Sequence, residues 1–309
     1  MTGTKPLIAA ACAVFFFAVF IQNAVALNTS ETPVDVEVGA LLVNVEKVDL
    51  AANSYRLDFY LWFRFDPSKI SLAEVKEFEF INGAPTKYEV KVDEAQGYLE
   101  YRVRGDFIKT FDFTQYPFES HELAVMLEHK NLDASRMVFK ESSESGIEST
   151  ASVVGWELKD FKTSVTKHAY GEEEYSRFVF SVTLARPQVS SFLKSVLPVL
   201  VITTISLLAF FMAPQNFSQR ITLGVTTLMS ATTFHLSLIN GIPPTGYLTL
   251  ADRMMISVYA VFLYNLAASV YIMRLMDEKR VDDAVRVKGK ALRFLPFLLI
   301  ALIIIQVSL

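Results

Sequence analysis

The sequence predicts a membrane protein in two unlike parts: an N-terminal all-β, immunoglobulin-like sandwich followed by a four-helix transmembrane bundle. Three observations predict it. Of the 309 residues, 52% are hydrophobic, a high share for an ordinary soluble enzyme. The bias is uneven, with dense charge up to about residue 187 and apolar runs beyond it. The first part is patterned in short period-two runs. The second holds runs of about 20 apolar residues, the length a helix needs to cross a bilayer.

Residues 1–26 read as a secretory signal peptide. Lys5 supplies the positive start, residues 7–21 the apolar centre, and Ala24-Val25-Ala26 the small-x-small cleavage signal. The only cysteine, Cys12, lies inside this segment, so the exported domain is expected to fold without a disulfide, a zinc-thiolate site or a cysteine nucleophile. The net charge of −4 argues against a nucleic-acid partner. No glycine-rich phosphate loop, metal-spaced histidine cluster or nucleophile elbow is present, so neither an enzyme nor a metal or cofactor site is expected.

Residues 27–187 form the expected sandwich, outside the membrane. Strand candidates are 36–49, 55–65, 77–81, 87–92, 98–107, 121–128, 137–140, 153–167 and 175–185, separated by turn signals such as Ala51-Ala52-Asn53-Ser54. The 55–65 run alternates cleanly. Tyr60, Trp62 and Arg64 share one face, and Phe59, Leu61, Phe63 and Phe65 the other. His121, His129 and His168 are scattered and read as surface or structural residues, with pH sensing as the alternative.

Residues 188–309 form the expected transmembrane domain, with helices at about 189–212, 219–240, 248–276 and 291–309. Pro198 should loosen the first of these. A short linker, 277–290, carries Lys279, Arg280, Arg286, Lys288 and Lys290, whereas 241–252 has no lysine or arginine. Positive-inside bias therefore puts 277–290 in the cytoplasm and, after four crossings, the sandwich outside an inner or plasma membrane. The signal peptide requires the same orientation.

The second helix is unusual. In RITLGVTTLMSATTFHLSLINGIP (220–243), Thr222, Thr226, Met229, Thr233, Leu236 and Asn240 recur at helical spacing on one face. Such a stripe either bonds neighbouring helices or lines a water-filled pore of polar rings and apolar constrictions.

Several residues in order carry a family resemblance. Tyr116-Pro117-Phe118-Glu119 in FDFTQYPFESHEL resembles the [FY]PF[DE] motif of the Cys-loop superfamily of pentameric ligand-gated ion channels. Gly155-Trp156, Arg186, Pro198 and the Pro243 to Tyr247 linker follow in family order, and RITLGVTTLMSATT is similar to the pore helix of glycine and GABA receptors. The two bracketing cysteines fall on Lys109 and Leu123, as in prokaryotic members. The resemblance implies a homopentamer of four further identical subunits, embedded in lipid and passing small monovalent ions. A small-molecule or proton agonist would open it. It implies a pore lined by Thr222, Thr226, Met229, Thr233, Leu236 and Asn240, gated at Met229 and Leu236, with Ser218 and Gln219 at the inner mouth. Tyr60, Trp62, Arg64, Tyr170 and Tyr175 are the ligand candidates. Asp49, Asp112, Tyr116, Pro117, Phe118, Glu119, Arg186, Pro243 and Tyr247 are the coupling candidates, with Arg186 paired to Glu119 and near Asp49 or Asp112.

The chain departs from the family at the inner mouth, which has neither the carboxylate of cation-selective members nor the Pro-Ala of anion-selective ones. Cations are expected from prokaryotic relatives and from carboxylates such as Glu172, Glu173 and Glu174 that could face the vestibule; an anion-selective channel of the same family is the alternative. An ion- or proton-coupled transporter is the reading from another class. It requires ionisable groups at mid-membrane, and the second helix offers only His235, off the threonine face.

Overall fold

The computed structural model describes residues 32–308. The signal-peptide expectation for 1–26 lies outside them. Ten strands come first: β1 (Val34–Asp49), β2 (Ser54–Arg64), β3 (Phe78–Phe80), β4 (Gly83–Asp93), β5 (Tyr98–Ile108), β6 (Ser120–His129), β7 (Met137–Glu141), β8 (Gly146–Ile147), β9 (Glu157–Tyr170) and β10 (Glu173–Ala185). They form two sheets, one ordered β4-β5-β2-β1-β7 with β8 also on β1, the other β3-β6-β10-β9.

Alternation decides which side chains meet between the sheets. On β5, Leu99, Tyr101, Val103 and Phe107 point inward and are buried, as are Leu123, Val125 and Leu127 on β6 and Phe178, Phe180, Val182 and Leu184 on β10. Phe59 of β2 meets Phe180 of the opposite sheet edge to face at 4.9 Å. Tyr55 is tied across the core by donating its hydroxyl to the Ala124 carbonyl. The strand expected from residue 153 begins at Glu157, because Val153 to Trp156 form a turn closed by Gly155 at a φ of 83°.

Four long helical segments follow: α1 (Gln188–Phe211), α2 (Phe217–Ile239), α3 (Leu250–Asp277) and α4 (Val281–Ser308). Among the described residues, α1, α3 and the segment Pro214–Ile239 are long and apolar enough to cross a membrane. A π-helical turn, Phe192–Val196, interrupts α1 just before Pro198. Proline has no amide hydrogen and crowds the preceding turn, and the wider turn absorbs both effects.

The charged stretch 277–290 differs from its reading as a linker, since α4 already begins at Val281. The chain reverses at Lys279, whose left-handed φ of 60° ends α3. The Lys279 amide donates to the Met276 carbonyl at 3.0 Å and the Arg280 amide to the Leu275 carbonyl at 2.8 Å, the paired bonds that close a helix C-terminus. Ala284 is then fully buried against Ile272 and Leu275, so one apolar residue per turn is enough to keep the basic segment helical.

Candidate functional site

On α2, Arg220, Gly224, Thr227, Ala231 and Leu238 are buried against the other helices. The opposite face bears Thr222, Thr226, Met229, Thr233, Leu236 and Asn240, all exposed in the single chain, with Met229 at 67% and Leu236 at 55%. Ser218 and Gln219 are exposed in the first turn. That turn contains no acidic residue, and Asn216 before it makes no side-chain cap bond. Several hydroxyls on α2 bond back into the helix: Thr227 to the Leu223 carbonyl at 2.9 Å, Ser230 to Thr226 at 3.0 Å and Thr232 to Leu228 at 2.9 Å. None of these three belongs to the six-residue stripe.

A further polar side chain turned toward the neighbouring helix is His235. Its Nδ1 lies 3.0 Å from the Tyr259 hydroxyl and its Nε2 3.0 Å from Asp252 Oδ1. Asp252 also closes a capping box with Thr249 at the start of α3. Pattern reading places His235 off the stripe but does not find its partners. The Thr249-x-x-Asp252 spacing was the available signal, because it sets the carboxylate at the helix entrance, level with the upper turns of α2.

The loop between β5 and β6 joins the sandwich to the bundle. Its carbonyls at Thr114 and Tyr116 accept from the amides of Leu250 and Ala251 at 2.9 and 3.0 Å. The first amides of a helix have no partner inside it, so the loop supplies what α3 lacks. The Tyr116 hydroxyl donates to the Leu238 carbonyl near the end of α2 at 3.2 Å. From the other side, the Tyr247 hydroxyl accepts from the Phe113 amide at 2.8 Å and donates to Asp112 at 3.2 Å. Asp112 is held below the usual carboxylate range, first by the Thr114 hydroxyl and amide and then by Tyr247. Leu238 and Ala251 are packed into the sandwich core itself, together with half-buried Phe234 and Ile242. Pro117 is buried between these contacts, whereas Phe118 and Pro243 are half-buried.

Arg186 and Glu119 meet, with Arg186 Nε 2.5 Å from Glu119 Oε1 and only 2% of the Glu119 side chain exposed. The contact is a single bond. The two parallel bonds expected of a guanidinium on a carboxylate are absent, and Glu119 Oε2 is buried without a hydrogen-bond partner. The guanidinium instead lies over Trp156, 4.6 Å from its ring centre, and near Tyr116 at 5.5 Å. Asp49 is not brought to this cluster, because it pairs with Lys47 at 2.7 Å and caps its own turn at the Ala52 amide. Asp112 is engaged by Tyr247 and Thr114.

His121 lies beside this pair and is 3% exposed. Its ring is ringed by Phe111 at 4.9 Å, Trp156 at 5.4 Å and Phe113 at 5.8 Å, and Nε2 has no hydrogen-bond partner. Burial first, then the charges of Lys109 and Arg186, push its pKa down to about 4, so the ring is neutral. The Lys109 ammonium donates to the Glu122 carbonyl, spanning the base of the loop.

The ligand candidates fall on different sheets. Tyr170 and Tyr175 come together on the β9–β10 hairpin, with ring centres 5.8 Å apart. The Tyr170 hydroxyl donates to buried Glu128 at 3.1 Å, and Arg177 also binds Glu128 at 2.6 Å. Glu172, Glu173 and Glu174 occupy the tip of the same hairpin, where Glu173 bonds Tyr175 and Glu174 pairs with Lys167. Tyr60, Trp62 and Arg64 are on β2. The Arg102 guanidinium sits 5.4 Å from the Tyr60 ring centre, and Arg64 is bound to Glu37 and Glu144. Trp62 is only 7% exposed. Its ring lies over Gly39, where an added Cβ would come within 2.3 Å of it. Within one chain its surface is spent on packing.

A family model for the neurotransmitter-gated ion-channel transmembrane region matches residues 195–301. That match covers α2, its exposed stripe and the linker that meets the β5–β6 loop. Over those residues the chain carries the neurotransmitter-gated ion-channel transmembrane region. The chain is 24% identical to a proton-gated ion channel of Gloeobacter violaceus over 259 residues, 75% of this chain and 71% of the relative. It is 22% identical to neuronal acetylcholine receptor subunit alpha-9-II of Oncorhynchus mykiss over 53% of this chain and 30% of that subunit. With the alpha-9 subunit of Gallus gallus it shares 23% identity over 52% of this chain and 34% of the relative. The chain is a multi-pass membrane protein with its sandwich outside. The relatives are named as channels and receptor subunits.

Proposed function

We propose that five copies of the chain assemble around the exposed stripe of α2 and form a channel for small monovalent ions. The single observation that carries this reading is the stripe itself. Thr222, Thr226, Met229, Thr233, Leu236 and Asn240 are all exposed while the opposite face of the same helix is buried. A helix that buries one face and leaves a hydroxyl-bearing front exposed has a reason to turn that front to water. Rings of Met229 and Leu236 close such a pore by dewetting, without filling it. The sandwich is the ligand-sensing domain, and a small molecule or a proton arriving from outside opens the pore through the β5–β6 loop. The Gloeobacter relative, by its name, is opened by protons.

Cations are the favoured species in this reading, since the rings present hydroxyl and amide oxygens and no fixed positive side chain. One observation favours the anion reading: α2 begins without an acidic residue in its first turn. Its N-terminal partial positive charge is therefore unopposed at the inner mouth.

Unitary currents from the purified protein in a planar bilayer test the channel. Coupled flux without unitary events would instead identify a transporter. Met229→Ser hydrates the narrow ring and is expected to raise resting current; an unchanged resting current in a well-expressed variant removes Met229 from the gate. Under a sodium chloride gradient, a reversal potential that follows sodium supports cations, and one that follows chloride establishes the anion channel.

A further inference from the structure

His129, the last residue of β6, is 3% exposed and joins three stretches of chain. Its Nδ1 accepts from the Asn131 amide at 3.0 Å and from the Leu132 amide at 2.8 Å. Its Nε2 lies 2.8 Å from the Glu74 carbonyl. A ring nitrogen that accepts carries no hydrogen, so the one proton of the neutral ring sits on Nε2 and is donated to Glu74. A single uncharged tautomer thus makes all three bonds. A second proton has only Nδ1 to bind, and there it would face two N–H donors.

These bonds anchor two segments. Glu74 belongs to a short helical turn, Leu72–Val75, capped by Ser71. Asn131 and Leu132 begin the turn between β6 and β7, where Leu132 and Ala134 are buried. That turn reaches the β9–β10 hairpin. The Ala134 amide donates to the Glu174 carbonyl at 2.6 Å, and the Phe139 amide on β7 donates to the buried Ser176 hydroxyl at 2.9 Å. Tyr175 lies between those two acceptors in the chain.

The charges near the ring are Glu74 and Glu77 ahead of β3, and Arg136 in the turn. Lys130, next in the chain, is paired with Glu77 at 3.7 Å, and Asp133 is engaged by the Ser135 amide and hydroxyl. Glu128, one residue back along β6, takes the other face of the sheet with its register partners Glu79 and Arg177. Burial lowers the pKa of the ring and outweighs the Glu74 carbonyl and the two carboxylates, which raise it. The bonds are therefore whole above the ordinary value of 6.5 and are lost as the pH falls through the lowered folded value.

We propose that His129 is a clasp released by acid. A proton taken from solvent onto Nδ1 makes the ring an imidazolium, the Asn131 and Leu132 amides lose their acceptor, and the β6–β7 turn loosens its hold on the strand that carries Tyr175. The device belongs to the sandwich and is independent of whether the chain conducts.

Hydrogen–deuterium exchange of the full chain in lipid nanodiscs, from pH 7.5 to 4 and corrected for intrinsic exchange rates, tests it. Protection of the amides from Asn131 to Ala134 should fall by about tenfold or more on acidification, the loss of two hydrogen bonds. Exchange in the Glu173–Arg177 segment should rise with it, while β2 stays protected. His129→Asn places a carbonyl oxygen near the position of Nδ1 and cannot titrate; His129→Gln, also without a titrating group, can instead reach the Glu74 carbonyl. Whichever of the two folds should lack the acid step, whereas His121→Phe and His168→Gln should keep it. An acid step that persists without a histidine at 129, or that vanishes with His121→Phe or His168→Gln, would overturn the proposal. So would the absence of a step in the unaltered chain, a released turn with an unchanged hairpin, or loss of protection in β2 at the same pH, which would be global unfolding.

Discussion

In the sandwich, Phe59, Phe63, Phe107, Phe178 and Phe180 are all fully buried, whereas in the bundle Phe211, Leu263 and Phe297 are 70, 69 and 68% exposed. The sandwich completes a core within one chain. The bundle does not, and its apolar outer surface suits hydrocarbon, not water. The bundle also carries a third kind of surface, the α2 stripe, exposed but set with threonines. Lipid satisfies the first kind of exposure and not the second. Thus one chain has a domain finished by itself, a belt suited to lipid and a stripe that neither finishes, which the proposed function covers with copies of the chain.

The comparison is broken most severely from inside the sandwich. Phe180→Ala removes the partner of Phe59 from a closed core and should cost about 3–5 kcal/mol. Phe297→Ala, on the exposed belt, should stay within about 0.5 kcal/mol. Thermal unfolding of the full chain in one detergent should therefore shift strongly for the first variant and hardly for the second. Equal shifts would remove the distinction between the two regions.

The junction between them is tested next. Glu119 is buried on its partner Arg186, so Arg186→Ala leaves a carboxylate uncompensated, at a cost of about 3–5 kcal/mol. Glu119→Ala and the double variant complete a cycle. Strictly additive changes in unfolding and in channel activation would show that the two residues do not act together. Arg186→Lys should recover little, because a lysine cannot lie flat over Trp156.

His121 sharpens the same junction by pH. Its unfolded value is near 6.5 and its folded value about 4. The unfolded chain therefore takes up the proton first. The stability contributed by the neutral ring is fully present above pH 6.5 and is lost as the pH falls through 4, on the order of 3 kcal/mol in all. His121→Phe should flatten that part of the pH–stability profile; an unaltered acid limb would show that other groups set it.

A smaller effect at the junction is expected for Tyr247→Phe. It removes the bond to the Phe113 amide and the one to Asp112, worth about 1–2 kcal/mol together, from a residue whose ring is half exposed. The sandwich should keep its own melting behaviour, while activation shifts because the link to the end of α2 is weakened. Unchanged activation would mean that the Leu250 and Ala251 amide bonds and the Tyr116 bond to Leu238 suffice without Tyr247.

The sequence by itself determined the two-part architecture and the α2 stripe. Both rest on periodicity: alternation of two in strands and of about 3.6 in helices is written directly in the order of residues. The pairing of Arg186 with Glu119 was legible only through family resemblance, since 67 residues separate them in the chain. Tertiary structure alone decided the details that depend on what crosses between elements. It gave Arg186 a single bond and a tryptophan face, kept Asp49 with Lys47, and extended α4 back to Val281 through the turn at Lys279. It also buried His121 among three rings and joined His235 to Asp252 and Tyr259. A periodic pattern states which face a side chain takes, but not which of several nearby partners reaches it. Those outcomes follow from competition among contacts in space, and they are where this chain keeps its polar junction.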